Sequence, residues 1–448
     1  ALILYATLAK GPKLSYEHQV NSTRHFMQEL NRFGITSVID AGGGFQNYPD
    51  DYRVVQQLHR QDQLTVRIAY NLFTQRPRQE YEDFAGWIGR VKPYQGDDLY
   101  RHNGAGEMLV FSAADFEDFV QPRPDLAPGM EAELEQVVQL LVEHRWPFRL
   151  HATYNESISR FLDVFEKVNR DVPFDGLPWL FDHAETIDER NIERVKALGG
   201  GIAVQSRMAF QGEHFAERYG DAAAAHTPPV KQMLAMGVPV GGGTDATRVS
   251  SYNPWVALYW LTTGRTVGGK PLYDEATVLS RETALELYTR GSAWFSSESD
   301  RKGAIKTGML ADLAVLDRDY FRVPEAEIKG IEAELTVVGG RIVYARGDFS
   351  SFSPPPIPIL PDWSPTHLYN GYYPGAGRSE STTGLTANGR EQTAAGYSVP
   401  YGHMAQLHHC SGSCSVHGHA HDVARKSNVP ATDYTAFWGA LGCSCFAF

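Results

Sequence analysis

From residue 17 to about 265, short apolar runs alternate with stretches of helical periodicity, and few architectures accept that alternation. Seven runs read as strands, at 35–41, 64–70, 107–111, 148–152, 179–183, 201–206 and 238–242. Helical periods fall between or beside them at 18–33, 52–60, 77–91, 130–145, 156–168, 188–198 and 228–236, with 254–263 after the last. The first shows the logic: Phe26, Leu30 and Phe33 share one face, and Gly34 stops the helix. Strands joined by helices must run parallel, because each connection crosses over and returns to the same end of the sheet. A closed barrel of this kind needs eight strands. The expectation is a TIM-like (β/α)8 barrel whose first strand is missing from this chain. An open doubly wound sheet is the alternative, but it gathers its ligands at one switch point. Here acids and histidines recur at several strand ends.

The most informative of those ends is Val240-Gly241-Gly242-Gly243-Thr244-Asp245-Ala246-Thr247. Three glycines let the main chain approach a neighbour closely, and one carboxylate follows. At the C-terminal rim of a parallel barrel, Asp245 would face the mouth where such folds do chemistry. Read locally, it is a strand-ending turn that caps the next helix. His151 and His183 end two successive apolar runs, and with Asp245 they form a set of two imidazoles and a carboxylate suited to a divalent metal. Glu107, at the start of the run 107–111, reads either as a solvated acid, like the neighbouring Asp115 and Glu117, or as a carboxylate bridging metals. Tyr154, Arg207, His226 and Arg248 follow strand ends or lie in the long loop before the last helix–strand pair, where they would reach a substrate.

The totals narrow the partners. Among 448 residues, 41 are basic and 53 acidic, for a net charge of −12, and no Lys/Arg cluster offsets it. That argues against nucleic acid. No run of 18 apolar residues occurs, which argues against a membrane span. The four cysteines, Cys410, Cys414, Cys443 and Cys445, sit in the last tenth of the chain, so the body has no disulfide framework; a cytoplasmic location is expected. Residues 1–8 are apolar but lack the basic start of a signal peptide, and further residues are expected upstream.

Beyond the barrel a helix is expected at 281–296, then short strands with glycine turns within 303–317 and 335–344. Residues 350–365 are proline-rich. The expected organisation is a barrel at 1–300, a small β-sandwich segment at 301–349, and a Pro-rich linker with an irregular Cys/His-containing extension at 350–448. In that extension His408, His409, Cys410, Cys414, His417, His419 and His421 read either as a second metal site, for zinc or copper, or as a polar tail without standard finger spacing. Residues 264–271 (GRTVGGKP) nearly spell a phosphate loop, but Pro271 replaces the hydroxyl residue and no strand precedes it.

The sequence resembles the amidohydrolase superfamily of metal-dependent hydrolases, in particular its YtcJ-like (amidohydrolase-3) group, over about residues 20–350. The likeness rests on residues 34–42 (GITSVIDAG), the two strand-end histidines, Gly243-Thr244-Asp245, and residues 302–317 followed by 337–344 (VVGGRIVY). It implies that His151 and His183 are the metal ligands of barrel strands five and six, with Asp245 as the acid of strand eight. It also implies that Glu107 stands where a carboxylated lysine is often found on strand four. The paired-histidine motif of the first strand is absent. The implied cofactor is one or two divalent ions, with zinc expected. The implied reaction is hydrolysis of a carbon–nitrogen bond in an amide, formamide or cyclic amide, with Asp245 moving the proton. Hydrolysis of an ester or other carbonyl compound, or a non-catalytic binder with a decayed site, are the alternatives. Expected partners are a small-molecule substrate, an N-terminal fragment of the same polypeptide, and a second copy of the chain.

Overall fold

The computed structural model describes residues 14–360, apart from 43–46, 75, 116–118, 120–122, 124 and 247–248, together with the backbone of 412–414 and 419–421. Seven strands form one parallel sheet in sequence order: β1 Ser37–Asp40, β2 Arg67–Leu72, β3 Tyr100–Ala105, β4 Phe148–Ala152, β5 Trp179–His183, β6 Gly201–Gln205 and β7 Val240–Gly243. The sheet curls as a TIM-like barrel does, with β1 and β7 at its two ends. Phe148 pairs with Trp179 and Ala152 with His183 in the β4–β5 register, so the last residues of both strands emerge at the same rim. A second sheet is antiparallel, in the order β10, β9, β8, from β8 Leu313–Leu316, β9 Ala333–Val338 and β10 Arg341–Ala345.

Helices cover the outside of the barrel. Helix α1, Tyr16–Arg32, is capped by the Ser15 hydroxyl, which accepts from the His18 N–H. An aromatic layer joins Phe148, Phe165, Phe174, Trp179 and Phe181, whose rings meet edge-on or stacked at 5.1–6.2 Å. At the opposite end from the rim, Trp294 and Phe295 pack with Leu180, Ala203 and Ile39. Gly201 is required there, because a Cβ would stand 2.6 Å from the Trp294 ring. Buried ion pairs lash the second sheet to the barrel: Arg67 on β2 donates to both Asp312 oxygens at 2.7 and 2.9 Å, and Arg32, at the end of α1, pairs with Glu332.

Three expectations need correction. The third strand is Tyr100–Ala105, not 107–111; Met108, Leu109 and Val110 are apolar because they are buried in an irregular segment, and Glu107 follows a strand end instead of opening a strand. The stretch 207–219, read as loop, is a helix, Arg207–Tyr219, with Gly212 set against Leu272. The helix expected at 281–296 is broken by a π turn at Leu287–Gly291 between Arg281–Glu286 and Ser292–Phe295.

The polar strand β3 carries a testable cost. His102 is fully buried, 4.6 Å from the Trp146 ring, with its two ring nitrogens 3.0 and 3.1 Å from the carbonyls of Lys92 and Gly104. Burial, only partly offset by those carbonyls, pushes its pKa from 6.5 down to about 4. The unfolded chain therefore binds more protons in that window. Stability from this group is full above pH 6.5 and lost as pH falls toward 4, by about 3 kcal/mol. Denaturant midpoints followed across pH should show a shallower acid slope in His102→Gln; unchanged slopes would refute the assignment.

Candidate metal centre

The rim gathers three donors from distant parts of the chain. Glu107 Oε2 lies 3.3 Å from His183 Nε2 and 3.6 Å from His151 Nδ1, and the two imidazole centroids are 4.4 Å apart. One donor atom from each of the three residues falls within 4.8 Å of the others. Main-chain bonds set this geometry. The Gly106 N–H donates to the Leu72 carbonyl at 2.6 Å, Glu107 N–H to Ala41 at 3.1 Å, and His151 N–H to the Glu107 carbonyl at 2.8 Å. Segment 106–107 thus ties the ends of β1, β2 and β4 together. Gly106 has no room for a side chain: a Cβ would stand 2.7 Å from the Ala41 oxygen.

The donor chemistry fits a divalent ion. Burial works to raise the Glu107 carboxyl, but hydrogen bonds from His151 and His183, backed by the charge those rings carry when protonated, outweigh it and hold the group well below the usual carboxylate range. Burial first, then the Arg207 charge and His151, hold His183 well below an ordinary imidazole, so it stays neutral with a lone pair to give. Its Nδ1 is buried without a hydrogen-bond partner. Beneath the trio, Arg149 Nε donates to Asp182 Oδ2 at 2.6 Å, and Asp182 is pushed upward by burial against that guanidinium. Asp40, at the end of β1, is raised by burial, and the Gly42 N–H and Arg149 limit the rise.

Asp245 joins the group through Arg207. This guanidinium, 1% exposed, donates to Asp245 Oδ2 at 2.7 Å and to Glu185 Oε1 at 3.1 Å, and its Nη2 lies 3.5 Å from His183 Nε2. Asp245 remains 30% exposed, on the open side of the pair. His183, Ala184 and Asp245 all take positive φ, at 82°, 51° and 52°, a concentration of backbone strain at the rim.

The other expected residues fall differently. Tyr154 is buried, its ring edge-on to Phe119 at 6.4 Å and under Arg123 at 4.9 Å. His226 is exposed in the turn after the short helix Asp221–Ala224, and no ion pair or hydrogen bond described around His151 and His183 reaches it. Arg248 lies outside the described residues, as do His408, His409, Cys410 and His417. Cys414, His419 and His421 are described in backbone only, within an antiparallel pair in which Cys414 faces His419. The near-phosphate loop is occupied by its own contacts: Gly264 ends a helix, and the Thr266 hydroxyl donates to Glu213. Sequence reasoning missed Asp115 and Glu185. Asp115, read there as exposed, is fully buried; burial pushes it up to about 6, and its Oδ2 accepts from the N–H groups of Thr153 and Tyr154. Glu185 stands two residues after His183, the nearest signal that the sequence offered.

Comparison with known proteins supplies the family and the fold. The sequence profile of the amidohydrolase family matches residues 1–344. An N-substituted formamide deformylase of Arthrobacter pascens is 30% identical over 200 residues, covering 44% of this chain and 36% of the relative. The putative amidohydrolase YtcJ of Bacillus subtilis is 27% identical over 202 residues, covering 44% and 37%. The matched region thus spans little more than a third of those relatives' length. An uncharacterized metal-dependent hydrolase from Pyrococcus furiosus shares the fold at a TM-score of 0.54 and 19% identity, over 71% of this chain and 64% of that one.

The buried arginine generates a prediction. Arg207→Met should cost about 3–5 kcal/mol in chemical denaturation, because it strips the guanidinium from a buried carboxylate. Adding Glu185→Gln should restore most of that loss. Two losses that simply add would show that the pair is not coupled.

Proposed function

Because the chain belongs to the amidohydrolase family, we propose that it is a metal-dependent hydrolase cleaving the carbon–nitrogen bond of an amide, formamide or cyclic amide. The observation that carries this reading is the convergence of Glu107, His151 and His183, with an ion-paired Asp245 beside them. Those three residues would hold the divalent ion, for which zinc is the expected choice given two imidazoles and a carboxylate. A bound ion supplies an acidified water and polarises the carbonyl to be attacked.

The remaining work belongs to the chain. Asp245, partly exposed at the rim, accepts the proton from the attacking water and returns it to the departing nitrogen. Arg207 fixes the direction of that carboxylate by donating to its Oδ2. Burial first, and then the same guanidinium facing His183, favour the neutral imidazole. The likeness to a formamide deformylase supports an N-substituted formamide as the first substrate to try.

Elemental analysis of the purified chain should find stoichiometric zinc or another divalent ion, lost in Glu107→Gln and in His183→Asn. Asp245→Asn should keep the ion and lose turnover of an N-substituted formamide by about 10²–10⁴-fold. A metal-free protein that nonetheless binds a small molecule would replace the hydrolase reading with a binding one.

A further inference from the structure

His151 presents both ring nitrogens to carboxylates. Its Nδ1 points to Glu107 Oε2 at 3.6 Å, and its Nε2 to Asp115 Oδ1 at 3.5 Å, with the Thr153 hydroxyl 3.3 Å from the same Nε2. Asp115 is fully buried and sits in the segment that follows Glu107. Its other oxygen, Oδ2, is committed to two main-chain donors, the N–H groups of Thr153 at 2.8 Å and Tyr154 at 3.1 Å. Oδ1 makes no hydrogen bond of its own and faces the imidazole. A carboxylate can only accept, so in this position it favours a proton on Nε2. The lone pair is then on Nδ1, the nitrogen that belongs to the trio with Glu107 and His183.

We propose that Asp115 is the positioning residue of this centre: it accepts from the Nε2–H of His151, keeps the ring proton on that nitrogen, and so dictates that Nδ1 is the nitrogen offered to a metal. The inference rests on the reading of the trio as a metal site. A carboxylate partner to the second nitrogen of a metal-bound imidazole fixes both the tautomer and the ring's orientation. The 3.5 Å gap is long for a hydrogen bond and closes with a small rotation of the ring. Asp115 also holds the first turn after β4 through Thr153 and Tyr154, so the same side chain sets the main chain that carries His151.

Two substitutions of opposite logic separate positioning from simple packing. In Asp115→Asn the carbonyl must stay with the two main-chain N–H groups, since turning it away would orphan both. The amide NH2 then faces Nε2 and can only donate, which moves the ring proton to Nδ1 and removes the lone pair from the trio. Asp115→Ala removes the acceptor and leaves the ring free to choose, but it opens a cavity and abandons the two main-chain donors. Zinc affinity of the full chain, measured by competition with a chromophoric chelator, should therefore fall about 10–100-fold in Asp115→Asn and by less in Asp115→Ala. Thermal stability of the metal-free proteins should rank the other way, with Ala the less stable. A purely structural role predicts that Ala is the worse substitution on both scales. Zinc bound by the wild type, with Asn equal to or tighter than Ala, overturns the role of Asp115 and leaves the metal site standing. No zinc bound by the wild type overturns the metal site, and this inference with it.

Discussion

One nearly buried carboxylate lying between two imidazoles is the contact on which the rim of the barrel depends. Charges removed from water cost several kcal/mol each unless they are paired. The rim buries Asp115, Asp182 and Glu185 outright, with Glu107 almost so, and answers them with two guanidiniums, Arg149 and Arg207. Arg149 is taken by Asp182, and Arg207 is divided between Glu185 and Asp245. Glu107 and Asp115 are left to share His151, with His183 serving Glu107 alone. The surplus is negative, and a cation among the donors is the correction of the right sign.

The same region stores strain. Left-handed backbone at His183, Ala184 and Asp245 costs of order 1–3 kcal/mol per residue. What opposes it is the apolar layer at the other end of the strands: Trp179 opens β5 in a stack of aromatic rings, and His183 closes it four residues later beside Glu107. One strand therefore carries both the packing that stabilises the barrel and the distortion at its rim.

Much of this was legible in the sequence. Strands β4 to β6 are buried along their whole length, as parallel strands are, and against their mainly apolar runs His151 and His183 stand out. Strand β3 hid because it is polar: His102 is buried against the Lys92 and Gly104 carbonyls and Asn103 donates to the Phe295 carbonyl, so burial left no apolar mark. The apolar run beside it drew the eye to 107–111 instead. Glu107 was singled out through a misplaced strand: it follows the strand end at Ala105 and does not open a strand of its own. Helix 207–219 was disguised by Gly212 and by polar residues that serve contacts distant in sequence. Asp115 could not be read at all: its partners lie 36 to 39 positions away, and an acid in a loop looks solvated until the fold closes over it.

The main-chain tie at Gly106 and Glu107 has a consequence for how such a protein can change. The placement of Glu107 against His151 is written in amide-to-carbonyl bonds to Leu72, Ala41 and from His151, none of which depends on which side chains the surrounding loops carry. Only the glycine itself is forbidden to vary. Evolution is thus free to rewrite the loops around the rim while Glu107 stays in register with His151 beneath them.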